Sequence, residues 1–343
     1  MDSATLEGDA MKVISTLLIG MLVLSGKVSY AQTTEPENQQ NPVVIVVVGA
    51  AGTPEYATQF TEWADSWEKA CINGKANYVS VGLNETQDSS DLMRLQEILT
   101  NESKNTSAAL WLVLIGHGTF DGRTAKFNLR GPDISADILA EWLKPLLRPV
   151  AVINTASSSA PFLSRLSAQE RIIITATKSG FEQNFARFGR YLSDSIADPK
   201  ADLDKDGQTS LLEAFLTASN RVDEFYSAKG RLITEHALLD DNGDGLGTRA
   251  DWFRGIRPVQ KARDGASLDG YRAHQFYLVC SEDEMKMAPA LRTQRDKLEL
   301  EVMKLRDSKE ILSEDEYFSK LEALLSDIAR IYEQTNKEDN LSR

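Results

Sequence analysis

The sequence predicts an α/β fold: three layers, α/β/α, around a mainly parallel sheet, with a helical hairpin added at the C-terminal end. Three observations carry this. Short continuous apolar runs such as VVIVVVGA (43–50) and ALWLVLIGHG (109–118) are what strands buried on both faces of a parallel sheet require. Segments of helical period lie between those runs, and strands alternating with helices imply right-handed crossovers with helices on both sides of the sheet. From Met285 onward the composition shifts to charged helix formers.

Each element follows in order. Val43 to Ala50 forms the first strand, and EYATQFTEWADSWEKAC (55–71) places Tyr56, Phe60, Trp63 and Trp67 at helical spacing, an aromatic stripe for the core. NYVSVG is the second strand, a helix covers 91–99, and 109–118 is the third strand. TFDGRTAKFNLRGPDIS, punctuated by Asp-Gly and Gly-Pro, reads as a small hairpin excursion. The helix ADILAEWLKPLL, the strands PVAVINTA and RIIITAT and the helix NFARFGRYLSDSIA complete the alternation. In the C-terminal part, Leu298, Val302 and Leu305 mark the apolar face of one helix. Tyr317, Leu321, Leu324, Leu325, Ile328 and Ile331 mark that of a second, opened by Ser313 and Glu316 in capping-box spacing. The hairpin is expected to dock on the main domain.

The N-terminal stretch has the marks of export. Lys12 precedes the apolar run VISTLLIGMLVLSG, and Ser29 and Ala31 are spaced for signal-peptidase cleavage, which makes 1–31 a signal peptide with Met11 as an alternative start. The run is shorter than the roughly 18 to 20 residues of a spanning helix, so no spanning membrane segment is expected after cleavage; an uncleaved membrane anchor is the alternative. The protein is accordingly expected to be secreted or periplasmic. Residues 32–42 form a polar, disordered lead, 43–283 the α/β domain and 284–343 a C-terminal helical extension.

A chain of 343 residues with 42% hydrophobic content can bury a core without staples, and a net charge of −13 disfavours nucleic acid as a partner. A protein or peptide partner, and cations, suit such a surface better. Cys71 and Cys280 are permitted one disulfide in an exported chain, or stand as two buried thiols. Asn84, Asn101 and Asn105 begin Asn-x-Ser/Thr sequons that matter only in a eukaryotic secretory route.

In open α/β sheets ligands gather beyond the carboxyl ends of the strands. Two ends stand out: LIGHG, which holds His117 between glycines, and VINTASSSA, where a buried run breaks into small hydroxylated residues. A base and a nucleophile contributed by neighbouring strand ends are a usual arrangement for covalent catalysis. A polar turn capping the helix APFLSRL is the plainer alternative.

This order, a strand ending in GHG, a short hairpin, a helix, and a strand ending in a small-residue turn, resembles the caspase, legumain and gingipain superfamily of cysteine peptidases, most of all its legumain-type members. The likeness spans Val43 to Arg221. It implies a caspase/legumain-like fold in which His117 supplies the catalytic imidazole and Asn154, Thr155, Ala156, Ser157, Ser158 and Ser159 form the nucleophile turn. Ala156 then occupies the nucleophile position, and a methyl group cannot attack a carbonyl. Ser158 matches the family's non-nucleophilic serine. The resemblance therefore implies a pseudo-peptidase, with a hydrolase using Ser157 or Ser158 with His117, or an unrelated α/β binding domain, as alternatives.

DLDKDGQTSLLE, Asp202 to Glu213, fits a twelve-residue EF-hand loop. Asp202, Asp204, Asp206 and Glu213 would offer carboxylates, Gln208 its backbone carbonyl and Ser210 a hydroxyl or bound water, while Gly207 permits the sharp turn. DDNGDGLGTRAD (240–251) repeats the idea more weakly with Asp240, Asn242, Asp244, Gly245 and Asp251, because its last carboxylate is short and no convincing helix follows directly. Calcium is the expected cofactor, as a structural ion pinning the last helices to the sheet. The expected whole is an exported, calcium-stabilised binding or scaffolding module.

Overall fold

The computed structural model describes residues 41–342, apart from 85–88, 103, 105 and 264–266, and only the backbone from 336 on. The stretch expected to be a signal peptide, nearly all of the polar lead and Asn105 lie outside the described residues. Asn84 and Asn101 are exposed.

The chain runs through β1 (Val43–Val48), α1 (Pro54–Asn73), β2 (Asn77–Val81), α2 (Asp91–Asn101) and β3 (Leu110–Ile115). The Asp-Gly and Gly-Pro segment then forms a separate three-stranded antiparallel sheet of β4 (Gly118–Phe120), β5 (Ala125–Phe127) and β6 (Ile134–Ser135), one strand more than a hairpin. After it come α3 (Ala136–Leu143), β7 (Val150–Asn154), α4 (Ala160–Leu166), β8 (Arg171–Thr175), α5 (Phe188–Ser195) and α6 (Leu211–Ala228). Two short strands that the apolar pattern did not mark, β9 (Leu238–Asp240) and β10 (Thr248–Arg249), extend the main sheet.

The seven-stranded sheet has the order β10-β9-β8-β7-β3-β1-β2. The five strands from β8 to β2 are parallel; β9 joins β8 antiparallel and β10 folds back on β9. The unbroken apolar runs follow from burial on two faces. In β1, Val44, Val46 and Val48 enter one core with α1, α5 and α6, while Ile45 and Val47 enter the other with α2, α3 and α4. β3 divides likewise, Trp111, Val113 and Ile115 against Leu110, Leu112 and Leu114. Full burial of each such side chain contributes about 1.5–3 kcal/mol, so a polar residue on either face would be costly. The stripe of α1 packs as its spacing requires, with Phe60, Trp63 and Trp67 buried, and the helix starts where the Thr53 hydroxyl accepts the Tyr56 N–H before Pro54.

The C-terminal part adds α7 (Tyr271–His274), α8 (Glu282–Lys286), α9 (Pro289–Asp307) and α10 (Glu314–Ser342), with α9 and α10 packed along each other and α9 against α7. It is held together by more ion pairing than the sequence pattern suggests. Arg295 of α9 is buried and holds Glu284 of α8 through two nitrogens, at 2.5 and 2.8 Å. Ser313 accepts the Glu316 N–H at 3.3 Å, but the Glu316 carboxylate pairs with Lys320, so only half of the capping box forms. Among the described residues, no helix is long and apolar enough to cross a membrane.

Candidate functional site

The strand order reverses between β1 and β3: β2 lies on one side of β1 and β3 on the other, with α1 and α2 on opposite faces. Such a switch point opens a crevice beyond the strand ends. His117 sits there, two residues past β3, with its Nε2 3.2 Å from the carbonyl oxygen of Ala51 beyond β1. Three aromatic rings hold the half-buried imidazole edge-on, Tyr56 at 4.8 Å, Phe60 at 5.2 Å and Phe185 at 5.9 Å between centroids. The aromatic stripe of α1 thus supplies both core and the bed of this histidine.

On the other side of β3 the end of β7 comes close. Pairing of Leu114 with Asn154 brings the Gly118 backbone against the turn, and a Cβ at position 118 would lie 2.2 Å from the Ser157 carbonyl oxygen and 3.3 Å from the Ala156 methyl. Only glycine permits this approach. The Ser157 hydroxyl donates to the Gly118 carbonyl at 3.2 Å, and the Gly118 N–H points back to Ser157 Oγ at 3.4 Å. The Ala156 N–H is taken by Asn154 Oδ1 at 3.1 Å. Residues 154–159 are buried throughout. His117 and the turn are therefore neighbours, yet the imidazole faces Ala51 and the Ser157 hydroxyl faces Gly118.

Ser158 differs from its neighbours. Its φ is 56°, a left-handed conformation uncommon for a residue with a Cβ, and its buried hydroxyl has no hydrogen-bond partner; nor does the Asn154 side-chain nitrogen. The Ser158 N–H donates to the Glu182 carbonyl at 2.8 Å, and the carboxylate of Glu182 holds His236 Nδ1 at 2.6 Å. The turn does not cap α4 through Ser159. The Ala160 N–H goes instead to Thr177 Oγ1 at 3.1 Å, two residues past the end of β8.

Neither thiol belongs to this crevice. Cys71 lies in α1 and Cys280 before α8, both unpaired, and burial pushes the Cys71 thiol up to about 12 and raises that of Cys280 as well. A thiol so shifted is not ionised near neutral pH.

The first acidic loop connects α5 to α6. Asp202, Asp204 and Asp206 offer oxygens that all lie within 4.8 Å of one another. Asp202 accepts the N–H groups of Lys205 and Gly207 at 2.6 and 3.2 Å, Asp204 that of Asp206 at 3.1 Å, and Asp206 that of Gln208 at 3.0 Å. Gly207, at φ 89°, provides the turn. Glu213 closes the loop from beneath. One oxygen takes the N–H groups of Leu203 and Asp204 at 2.7 and 3.3 Å, and the other takes the N–H and hydroxyl of Ser210 at 2.8 Å each, a complete capping box for α6. His274 reaches Asp204 at 2.9 Å, Tyr277 reaches Asp206 at 3.4 Å, and the side-chain oxygen of Gln208 accepts the Ser281 N–H at 3.0 Å.

The second loop, between β9 and β10, repeats the pattern bond for bond. Asp240 accepts the N–H groups of Gly243 and Gly245 at 3.0 and 3.1 Å, Asn242 that of Asp244 at 2.8 Å, and Asp244 that of Leu246 at 2.8 Å. Asp251 does not close it; that side chain is exposed and pairs with Arg249 at 2.7 Å. The residue standing where Glu213 stands is Asp269. One oxygen takes the N–H groups of Asp241 and Asn242 at 3.1 and 3.3 Å, and the other takes the Thr248 hydroxyl at 2.5 Å. No spacing rule in the sequence points to it, because it comes from beyond the contiguous motif. Asp240, Asp241 and Asp269 are all buried, and burial followed by the neighbouring carboxylates raises the carboxyl of Asp269 far above its ordinary range.

No protein-family model matches the chain, and no curated protein matches it. Among solved structures, the chain is similar to the Drosophila initiator caspase Dronc, at 15% identity over 70% of this chain and 96% of that one, with a TM-score of 0.39. It is also similar to caspase-1 from Spodoptera frugiperda, at 10% identity over 60% and 88% of the two chains and a TM-score of 0.39. Raptor from Chaetomium thermophilum is similar at 10% identity over 41% of this chain and 15% of that one, with a TM-score of 0.29.

Proposed function

We propose that this is an exported, legumain/caspase-type α/β domain without cysteine-peptidase activity, acting as a calcium-stabilised module that binds or scaffolds a protein or peptide. One observation carries the loss of activity: the turn after β7 offers a buried methyl group at Ala156, while the Ser157 hydroxyl is spent on Gly118 and the His117 nitrogen on Ala51. Covalent catalysis needs a nucleophile within hydrogen-bond reach of its base, and neither serine hydroxyl bonds to the imidazole. The test is incubation of residues 32–343 with a fluorophosphonate probe and with peptide libraries. No labelling and no cleavage are expected; labelling at Ser157 or Ser158 that disappears in His117→Ala would overturn the reading.

A hydrolase reading draws on Ser158, which sits between strand and helix at positive φ with an unpartnered hydroxyl, as an activated serine can. Its burial speaks against it, since no substrate reaches a hydroxyl enclosed by its own turn. The same probe experiment decides.

Calcium rests on the donor set. Asp202, Asp204 and Asp206 in the first loop, with Gln208 offering its backbone carbonyl and Glu213 beneath, fit a hard cation that prefers several oxygens. In the second loop Asp240, Asn242 and Asp244 would serve, with Asp269 in place of Asp251. Buried carboxylates without a cation cost stability, and a divalent ion would neutralise them. A thermal melt with and without chelator tests this: no shift at saturating calcium removes the ion from the proposal.

A further inference from the structure

We propose that the cavity between the first acidic loop and the C-terminal helices is a binding site for an amphipathic organic cation, an amine or guanidinium carried on an apolar body. The cavity measures about 500 Å³, within the range of small-molecule pockets. Its lining is of two kinds. Val302, Met303, Leu325, Ile328 and the ring of Tyr332, from the later turns of α9 and from α10, make an apolar wall. Asp206, Asp283, Glu284, Asp296 and Glu299, from the acidic loop, α8 and the earlier turns of α9, supply carboxylates, with the guanidiniums of Arg295 and Arg306 among the lining groups.

Arg292 also reaches Glu284, at 2.9 Å, so ion pairing engages the other α8 and α9 carboxylates of the lining and leaves Glu299 without a close cation. Arg295 is committed to Glu284 and to Asp296, which it reaches at 2.5 and 2.9 Å. Arg306 is exposed, and Asp283 is engaged by Lys286 at 2.7 Å. Glu299 keeps only long contacts, 3.8 Å to Arg295 and 3.4 Å to the amide of Gln275. Burial raises the carboxyls of both Asp296 and Glu299. A cationic head would give Glu299 the charge-assisted bond it lacks, and an apolar body would cover the α9–α10 wall. A bare metal ion would leave that wall uncovered, and an anion would meet the carboxylates. The site is separate from the strand-end crevice and does not depend on the reading of that crevice.

Isothermal titration of the chain from residue 32 with 4-phenylbutylamine, 4-phenylbutanol and 4-phenylbutyrate tests this, with chelator and again with calcium. The amine should bind more tightly than the alcohol and the acid by about tenfold or more. Glu299→Gln should weaken the amine by a similar factor and leave the alcohol unchanged, and Ile328→Trp, which fills the apolar wall, should weaken both. Equal binding of all three probes to the unaltered protein, or no binding of the amine, would overturn the proposal whether or not either variant folds. So would amine binding that survives Ile328→Trp but is lost with calcium, because it would place the cation in the acidic loop.

Discussion

The acidic loops at 202–213 and 240–251 share one hydrogen-bond pattern from their first to their ninth residue and part company after it. In the first, the chain enters α6 at Leu211, and the helix carries Glu213 back beneath the loop within one turn. In the second, the chain enters the two-residue β10 at Thr248 and then a single 3-10 turn, Ala250–Trp252, which leaves Asp251 outside, against Arg249. Asp269 fills the place from a distant segment, repeating the bonds to the second, third and ninth loop residues. The early part of such a loop is local, built of side chains bonding to N–H groups a few residues on. The closing carboxylate depends on what element follows.

The largest expected effect tests whether the likeness extends to cations. With calcium in hundredfold excess over its dissociation constant, each occupied loop adds about 2.7 kcal/mol of stability. Asp204→Ala should remove one part of the chelator-sensitive shift in a thermal melt and Asp269→Asn the other. If Asp204→Ala abolishes all of it, the two loops are alike in backbone only.

Glu235 provides a contrasting buried carboxylate with no acidic loop around it. It takes the N–H groups of Arg187 and Phe188 at 2.7 and 2.9 Å, at the start of α5, and the Tyr226 hydroxyl at 3.1 Å. Burial pushes its carboxyl from 4.5 up to about 7, despite these bonds. The folded state then holds a proton that the unfolded chain releases between those values, so this group's contribution is fully present below the lower value and is lost as pH rises through the higher one. The loss is on the order of 3 kcal/mol. Urea denaturation at both ends of this window should show the slope in the parent and its reduction in Glu235→Gln by the same amount with and without calcium; a reduction that changes with calcium would tie Glu235 to the loops.

Truncating the two closing carboxylates comes next. Glu213→Ala leaves the Leu203, Asp204 and Ser210 N–H groups without their acceptor and removes the carboxylate half of the α6 capping box, while the Ser210 hydroxyl still caps the helix, at a cost of about 3 kcal/mol in urea denaturation with chelator present. Asp269→Ala likewise strips the Asp241 and Asn242 N–H groups, but it also relieves the repulsion from buried Asp241, so about 2 kcal/mol is expected. The reverse order would mean that the second loop is the better formed of the two.

What the sequence made legible follows the same division between local and distant. Val43–Val48 and Leu110–Ile115 announce buried strands because both faces of each need apolar side chains. β9 and β10 escaped because two or three residues at a sheet edge carry no period. His117 and Ala156 were legible as two strand ends, and their adjacency follows from the strand order; the orientation of each side chain did not, since it depends on Ala51, Phe185 and Gly118. The positive φ of Ser158 has no compositional sign, because glycine would mark such a position and serine does not. Asp269 has none either.

The smallest predicted effect is the sharpest test of that last point. In the contiguous motif Asp251 is the closing ligand, and its loss should then remove the second loop's calcium response. In the structure it is an exposed partner of Arg249, and exposed ion pairs contribute little because water and salt screen them. Asp251→Ala should therefore change stability by no more than about 0.5 kcal/mol and leave the calcium-dependent shift as it is. Asp251→Ala and Asp269→Asn, measured side by side, should reverse the ranking that the spacing of the motif implies. Equal calcium shifts in the two variants would return the closing role to Asp251 and leave Asp269 as a buried hydrogen-bond acceptor alone.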